Sequence, residues 1–221
     1  MNKIISSNIL KAYTQCELQA YFLIFKDILH TESDYSNAIR ENKEITKNKY
    51  LEKLKKESEI QEYSLENMKQ KIDILYDANI AIGIFTTSID VVKINSFKDY
   101  SPIVVLGTKK VTKEDKVELA FNGYILSKFQ EKNPLQGTMV SSDLKSHTVK
   151  LEPLYKDISK IIKKINSWIK NQEYNKPPLI LNKNCSFCIF QKKCKADALE
   201  QDSLSLLDRM TGTVTNSVSI G

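Results

Sequence analysis

The chain opens with apolar residues at helical spacing. Ile9, Tyr13, Cys16 and Ala20 fall on one stripe, and Ser6 or Ser7 stands where a cap is needed. From residue 38 to 76 the pattern is charge-dense and nearly free of turn residues. Sparse apolar positions (Tyr50, Leu51, Leu54, Leu65, Met68, Ile72, Leu75) predict helices laid over a core with a solvated outer face. Mixed signs at this density suit pairs at helical spacing and solubility rather than a binding site. The period then changes. Residues 78–86 (ANIAIGIFT), 89–95 (IDVVKIN) and 100–106 (YSPIVVL) are short β-branched runs between polar breaks, and they read as three consecutive strands.

A helix is expected next. Thr112 is its N-cap, Glu114 and Asp115 suit its first turn, and Val117, Ala120, Phe121, Tyr124 and Ile125 form its buried face. Asn133-Pro134 ends it. Residues 138–141 and 148–151 offer two more short strands. Residues 155–169 carry the clearest amphipathic pattern, with Ile158, Ile161, Ile162, Ile165, Trp168 and Ile169 on one face. Lys156, Lys160, Lys163, Lys164 and Lys170 point elsewhere. Asn175-Lys-Pro-Pro closes that helix, and the stretch after Met210 has no period and reads as a flexible tail over 211–221. The order predicts one α+β domain over 1–210 with a charged helical insert at 38–76 and a cysteine region at 178–210.

Composition changes this picture little. At 41% hydrophobic and 27% charged, the chain has no run long enough to span a bilayer, and its N-terminus lacks an apolar secretion segment. A cytoplasmic setting is the expectation. There, clustered cysteines bind metal more often than they form disulfides. The net charge of +6 permits a nucleic-acid partner without demanding one.

Chemistry concentrates in the four cysteines. Cys185, Cys188 and Cys194 follow C-x2-C-x5-C spacing, and Cys16 lies almost the length of the domain away. Taken alone, Cys16 on an apolar stripe reads as a core thiol. With the distant trio present, convergence on a metal or cluster becomes the better reading. Structural zinc usually draws on two close pairs, whereas a cuboidal cluster is larger and tolerates one ligand standing alone. The spacing therefore favours a [4Fe–4S] cluster, with zinc as the fallback. Phe187, Ile189 and Phe190 are expected to shield it, and Lys192, Lys193 and Lys195 to offset thiolate charge.

An N-terminal cysteine, a strand-rich core and a terminal C-x2-C-x5-C resemble the iron–sulfur RecB-like nucleases of the PD-(D/E)XK superfamily. That group includes the CRISPR-associated adaptation exonuclease and the AddB nuclease subunit. The matching stretches are residues 5–16 (ISSNILKAYTQC), 113–121 (KEDKVELAF), 134–140 (PLQGTMV), 148–151 (TVKL), 178–194 (PLILNKNCSFCIFQKKC) and 202–210 (DSLSLLDRM). The resemblance implies a restriction-endonuclease-like core, a central mixed sheet flanked by helices. It implies DNA as substrate, single-stranded or at ends. It also implies a partner supplying an RNase H-like or helicase function, since longer members continue into an RNase H-like domain.

The resemblance further implies an Asp on the second core strand and a Glu/Asp-x-Lys on the third, holding Mg²⁺ or Mn²⁺ for phosphodiester hydrolysis. Asp90 stands at the first position. From Tyr100 to Lys113 there is no carboxylate, and Val105 or Leu106 occupies the place of the paired acid. Lys109 or Lys110 is then the candidate lysine. Glu114-Asp-Lys116 spells Glu-x-Lys but falls in the first turn of the next helix, where acids are favoured anyway. The candidate catalytic set is Asp90, Lys109, Glu114 and Lys116, with Asp90 and Glu114 as ion ligands. His30 is expected to be a loop residue. Two readings stand: a nuclease with a structural cluster, and a non-catalytic nucleic-acid-binding or structural subunit held by a four-cysteine site.

Overall fold

The computed structural model describes residues 3–25, 34–95, 98–171 and 176–206. His30, Asn175 and the 211–221 tail lie outside the described residues. A short strand β1 (Ile5–Ser6) leads into α1 (Ser7–Gln15) and α2 (Glu17–Phe25). The expected single helix is two, because Cys16 is extended (φ −165°, ψ 119°) and breaks the ladder between them. Ser6 holds the cap position, without a side-chain capping bond.

The charged region contains α3 (Asp34–Glu57), but it is not helical throughout. Strand β2 (Ile60–Glu62), helix α4 (Leu65–Lys69) and the start of β3 (Ile74–Ile82) also fall within it. Strand β4 (Phe85–Ile94) follows β3 through a hairpin at Gly83, whose φ of +60° suits glycine. The run at 78–86 therefore spans a turn rather than forming one strand. Then come β5 (Tyr100–Val105), α5 (Lys113–Gln130), β6 (Gln136–Val140), β7 (Ser146–Lys150) and α6 (Glu152–Lys170). A 3-10 turn (Lys183–Phe187) and α7 (Gln191–Glu200) complete the cysteine region.

Seven strands among the described residues form one mixed sheet in the order β2-β3-β4-β5-β6-β7, with β1 pairing in parallel to β4. The run β3-β4-β5 is antiparallel throughout. Helix α5 then crosses over, so that β6 pairs in parallel with β5. The α5 boundary follows from a complete capping box between Thr112 and Asp115. The apolar stripe of α6 is buried as its period predicts: Ile158, Ile161, Ile162, Ile165 and Trp168 all lie inside.

Two cores sandwich the sheet. The larger packs α1, α2, α5 and α6 against one face, with Phe22, Phe121 and Trp168 among its fully buried side chains. The smaller places Tyr50 and Leu54 of α3 on Ile74, Val91, Ile103, Val105 and Val140. Side-chain alternation reverses in the middle of the hairpin. Leu75, Ala78 and Ile80 all serve the larger core, which strict alternation forbids. The reversal sits at Asp77, whose φ of +56° is left-handed, and the ladder skips the Asp77–Asp90 pairing. No helix among the described residues is long and apolar enough to cross a membrane.

Candidate functional site

Two sites emerge, a charged cleft and a four-thiol cavity. The cleft lies at the end of β5, walled by α1, α3 and the start of α5. It is open to solvent, has a volume of about 470 Å³ and is lined by Lys11, Tyr35, Arg40, Lys43, Gly107, Glu114, Asp115 and Glu118, among others.

Asp90 sits beneath this cleft rather than on its surface. It is 8% exposed. Its Oδ2 accepts the Val105 backbone N–H at 2.8 Å and faces the Lys43 ammonium at 3.1 Å. Burial pushes the Asp90 carboxyl above its ordinary range, and Lys43 and the Val105 amide oppose that push. One turn along α3, Lys47 pairs with Asp77. Lysines at i and i+4 thus clamp the two aspartates at the strand distortion. The charged face of α3 has this structural task besides solvation, and the sequence pattern of α3 concealed it.

The opposite wall repeats the theme. Lys11 on α1 bonds Glu118 at 2.7 Å and Asp115 at 3.3 Å on α5. Asp115 also accepts the Thr112 backbone N–H and hydroxyl. Burial works to raise the Asp115 carboxyl, but Thr112 and Lys11 outweigh it and hold it below the usual value. For Lys11 burial likewise disfavours the charge, and the Glu118 and Asp115 carboxylates reverse the outcome.

The four residues named from sequence do not converge. Glu114 lines the cleft, Asp90 lies under it, and Lys109 is exposed in the turn after β5. Lys116 lines a different groove, with Tyr13, Asp157 and Lys160. If Val105 marks the acid of a Glu/Asp-x-Lys register, Gly107 marks the lysine. A Cβ there would collide with the Ile39 carbonyl oxygen. Helix α3 fills that space, and the Asn42 side chain donates to the Gly107 carbonyl. The lysine position is closed by backbone. Lys11, Lys43 and Glu118 went unnoticed in the sequence because only tertiary structure brings them to this cleft.

The second site is differently built. A small, mostly apolar recess is lined by Cys16, Cys185, Cys188 and Cys194, with Leu18, Leu179, Leu181 and Phe190. All four are free thiols and half-buried. Cys16 stands at the N-terminus of α2, where the Leu18 and Gln19 amides face its sulfur. The Asn182 amide donates to the Cys185 sulfur at 3.2 Å, and the Phe190 amide faces Cys188. Asn182 and Asn184 side chains donate to the Gln15 carbonyl at 3.3 and 2.9 Å, tying the cysteine loop to the end of α1.

Burial pushes the thiols of Cys16, Cys188 and Cys194 up, and neighbouring cysteines add to it; Cys194 reaches about 11. The expected lysine compensation is not what surrounds them. Lys193 is paired with Asp197 at 2.8 Å, and Lys192 and Lys195 are exposed. The shield also differs. Phe190 is buried, in edge contact with Phe22 at 5.2 Å, but Phe187 is 74% exposed. Among the described residues, no three His, Cys, Asp or Glu side chains are grouped to hold a single metal ion.

No protein-family model matches the chain, and a search of curated proteins finds no match.

Proposed function

We propose that the protein binds DNA on a RecB-like nuclease architecture whose hydrolytic centre has given way to lysine–carboxylate pairs. The observation that carries this reading is Lys43 seated on Asp90. A divalent ion needs exposed carboxylate oxygens, and here the Asp90 carboxylate is already paired, hydrogen-bonded and covered. The β5 segment offers no second acid, and Gly107 leaves no space for the lysine. The residues therefore do not fit Mg²⁺ or Mn²⁺. The antiparallel β3-β4-β5 run with its α5 crossover to parallel β6 supports the restriction-endonuclease-like assignment.

The cysteine recess does fit a prosthetic group. Four thiols line one apolar cavity, backbone amides face three of them, and their mutual influence disfavours thiolates unless a cation is supplied. The C-x2-C-x5-C spacing with Cys16 standing alone favours a [4Fe–4S] cluster held by Cys16, Cys185, Cys188 and Cys194 over zinc. Such a cluster would link the α1–α2 junction to the C-terminal segment. The chain's own residues contribute burial, through Leu18 and Phe190, and amide donors that stabilise sulfur charge.

DNA contact is supported by α6, where Lys156, Lys160, Lys163, Lys164 and Lys170 are all exposed. The test is a cleavage assay with Mn²⁺ on single- and double-stranded DNA, alongside binding measured across salt concentrations. The expected result is salt-sensitive binding with no cleavage attributable to Asp90. Mn²⁺-dependent cleavage that disappears in Asp90→Ala would overturn the reading.

A further inference from the structure

Two aromatic side chains with no place in the core meet at the rim of the cleft. Tyr35, at the start of α3, is 62% exposed, and Phe187, in the turn between Cys185 and Cys188, is 74% exposed. Their ring centroids lie 6.0 Å apart at an interplanar angle of 40°. Single exposed apolar residues are ordinary on a protein surface. Two rings brought together from opposite ends of the chain are not a scattered pair. Neither ring stacks flat on the other, so each keeps a face open to solvent.

Their position indicates what would cover them. Tyr35 lines the same cleft as Lys11, Arg40 and Lys43, and Phe187 belongs to a segment whose Lys183 and Lys192 are exposed. Open aromatic faces beside the exposed Lys183 and Lys192 match a single strand of nucleic acid, with bases on the rings and phosphates on those ammonium groups. Lys11 and Lys43, deeper in the cleft, are already paired with acids. A duplex keeps its base faces stacked inside and cannot use such a platform.

We propose that Tyr35 and Phe187 form a base-stacking platform for single-stranded nucleic acid, joining the cysteine loop to the cleft. This rests on the nucleic-acid-binding reading and adds its contact residues.

The test uses the full chain and fluorescein-labelled oligothymidylate, oligouridylate and a DNA hairpin duplex in anisotropy titrations. Tyr35→Ala and Phe187→Ala are each expected to weaken oligothymidylate binding about 5- to 150-fold, the equivalent of about 1–3 kcal/mol per stacked base. Duplex affinity and the salt dependence of binding should not change, because no phosphate contact is removed. Phe187→Trp should restore binding. Equal weakening of oligouridylate is expected, since a ring face does not read the sugar; a loss confined to one oligomer would replace stacking with sugar recognition. Wild-type-like oligothymidylate affinity in both alanine variants overturns the platform while leaving DNA binding intact. If wild type binds none of the probes, both the platform and the DNA-binding reading fall. Sedimentation closes the remaining route: dimeric wild type with monomeric alanine variants would make the pair an interface between copies and overturn the proposal. Both side chains are exposed, so unchanged thermal melts are expected and verify that the variants fold.

Discussion

The cysteine recess and the charged cleft are both clusters of groups able to carry negative charge, and they differ in what balances that charge. In the cleft every hydrogen-bonded acid has its lysine: Asp90 has Lys43, Asp77 has Lys47, and Asp115 with Glu118 has Lys11. The recess has amides and apolar walls but no ammonium among the influences acting on its thiols. A cation added to the cleft must displace an existing partner, whereas one added to the recess meets unmet demand. Residue type alone does not identify a metal site; the charge balance around it does.

The largest effect should come from the recess. On the proposed cluster, Cys16→Ser removes one ligand, and because cluster binding would also be folding free energy, the loss is expected to reach several kcal/mol. At about 2–4 °C per kcal/mol for a chain of this size, the thermal midpoint should fall by roughly 10 °C or more, along with visible absorption. A melt unchanged from wild type would show that the asparagine bonds to Gln15 alone hold the clasp.

A smaller effect is expected where α3 closes the cleft. Gly107→Ala drives a methyl group against the Ile39 carbonyl, and overpacking of this kind costs about 1–3 kcal/mol. Urea unfolding should show it as a lower midpoint. A neutral outcome would mean that α3 is loosely seated and the cleft open.

The smallest effects are pH-dependent, and the two walls should differ in sign. Asp115 is held below its unfolded value of 3.8, so its contribution is complete above that pH and is lost as pH falls through the lower folded value. The stability difference between wild type and Asp115→Asn should therefore shrink below about pH 4. Asp90 is raised, so the folded state binds its proton more tightly, and stability declines as pH climbs from 3.8 through the folded value. Asp90→Asn keeps an oxygen for the Val105 amide and should gain on wild type over that range. Urea unfolding from pH 7 to pH 2 measures both. Parallel curves would contradict the opposed environments of the two aspartates.

Much of the fold was legible because local and tertiary signals agree. Thr112 and Asp115 announce α5 by capping chemistry, and the isoleucines of α6 announce its buried face. The hairpin at Gly83 was obscured because apolar residues run through it without a polar break. The break at Cys16 was obscured because both helices keep apolar residues in phase. Site residues were less legible still. Lys43 and Lys47 stand in a run of charges where any pair at helical spacing looks solvated. Only the Asp77–Asp90 distortion beneath them makes these two different from the rest. The cysteines were readable for the opposite reason: nothing else in the chain accounts for three in ten positions.

Metal analysis of anaerobically purified protein tests the central contrast most directly. Wild type, Cys16→Ser and Asp90→Ala are compared by visible absorption, by iron, sulfide and zinc content, and by Mn²⁺ titration in a calorimeter. The account predicts brown wild type with about four iron and four sulfide per chain, as a cuboidal cluster requires. It further predicts loss of both in Cys16→Ser, full retention in Asp90→Ala, and no Mn²⁺ binding that depends on Asp90. A colourless protein with one zinc, or Mn²⁺ binding abolished by Asp90→Ala, would contradict it.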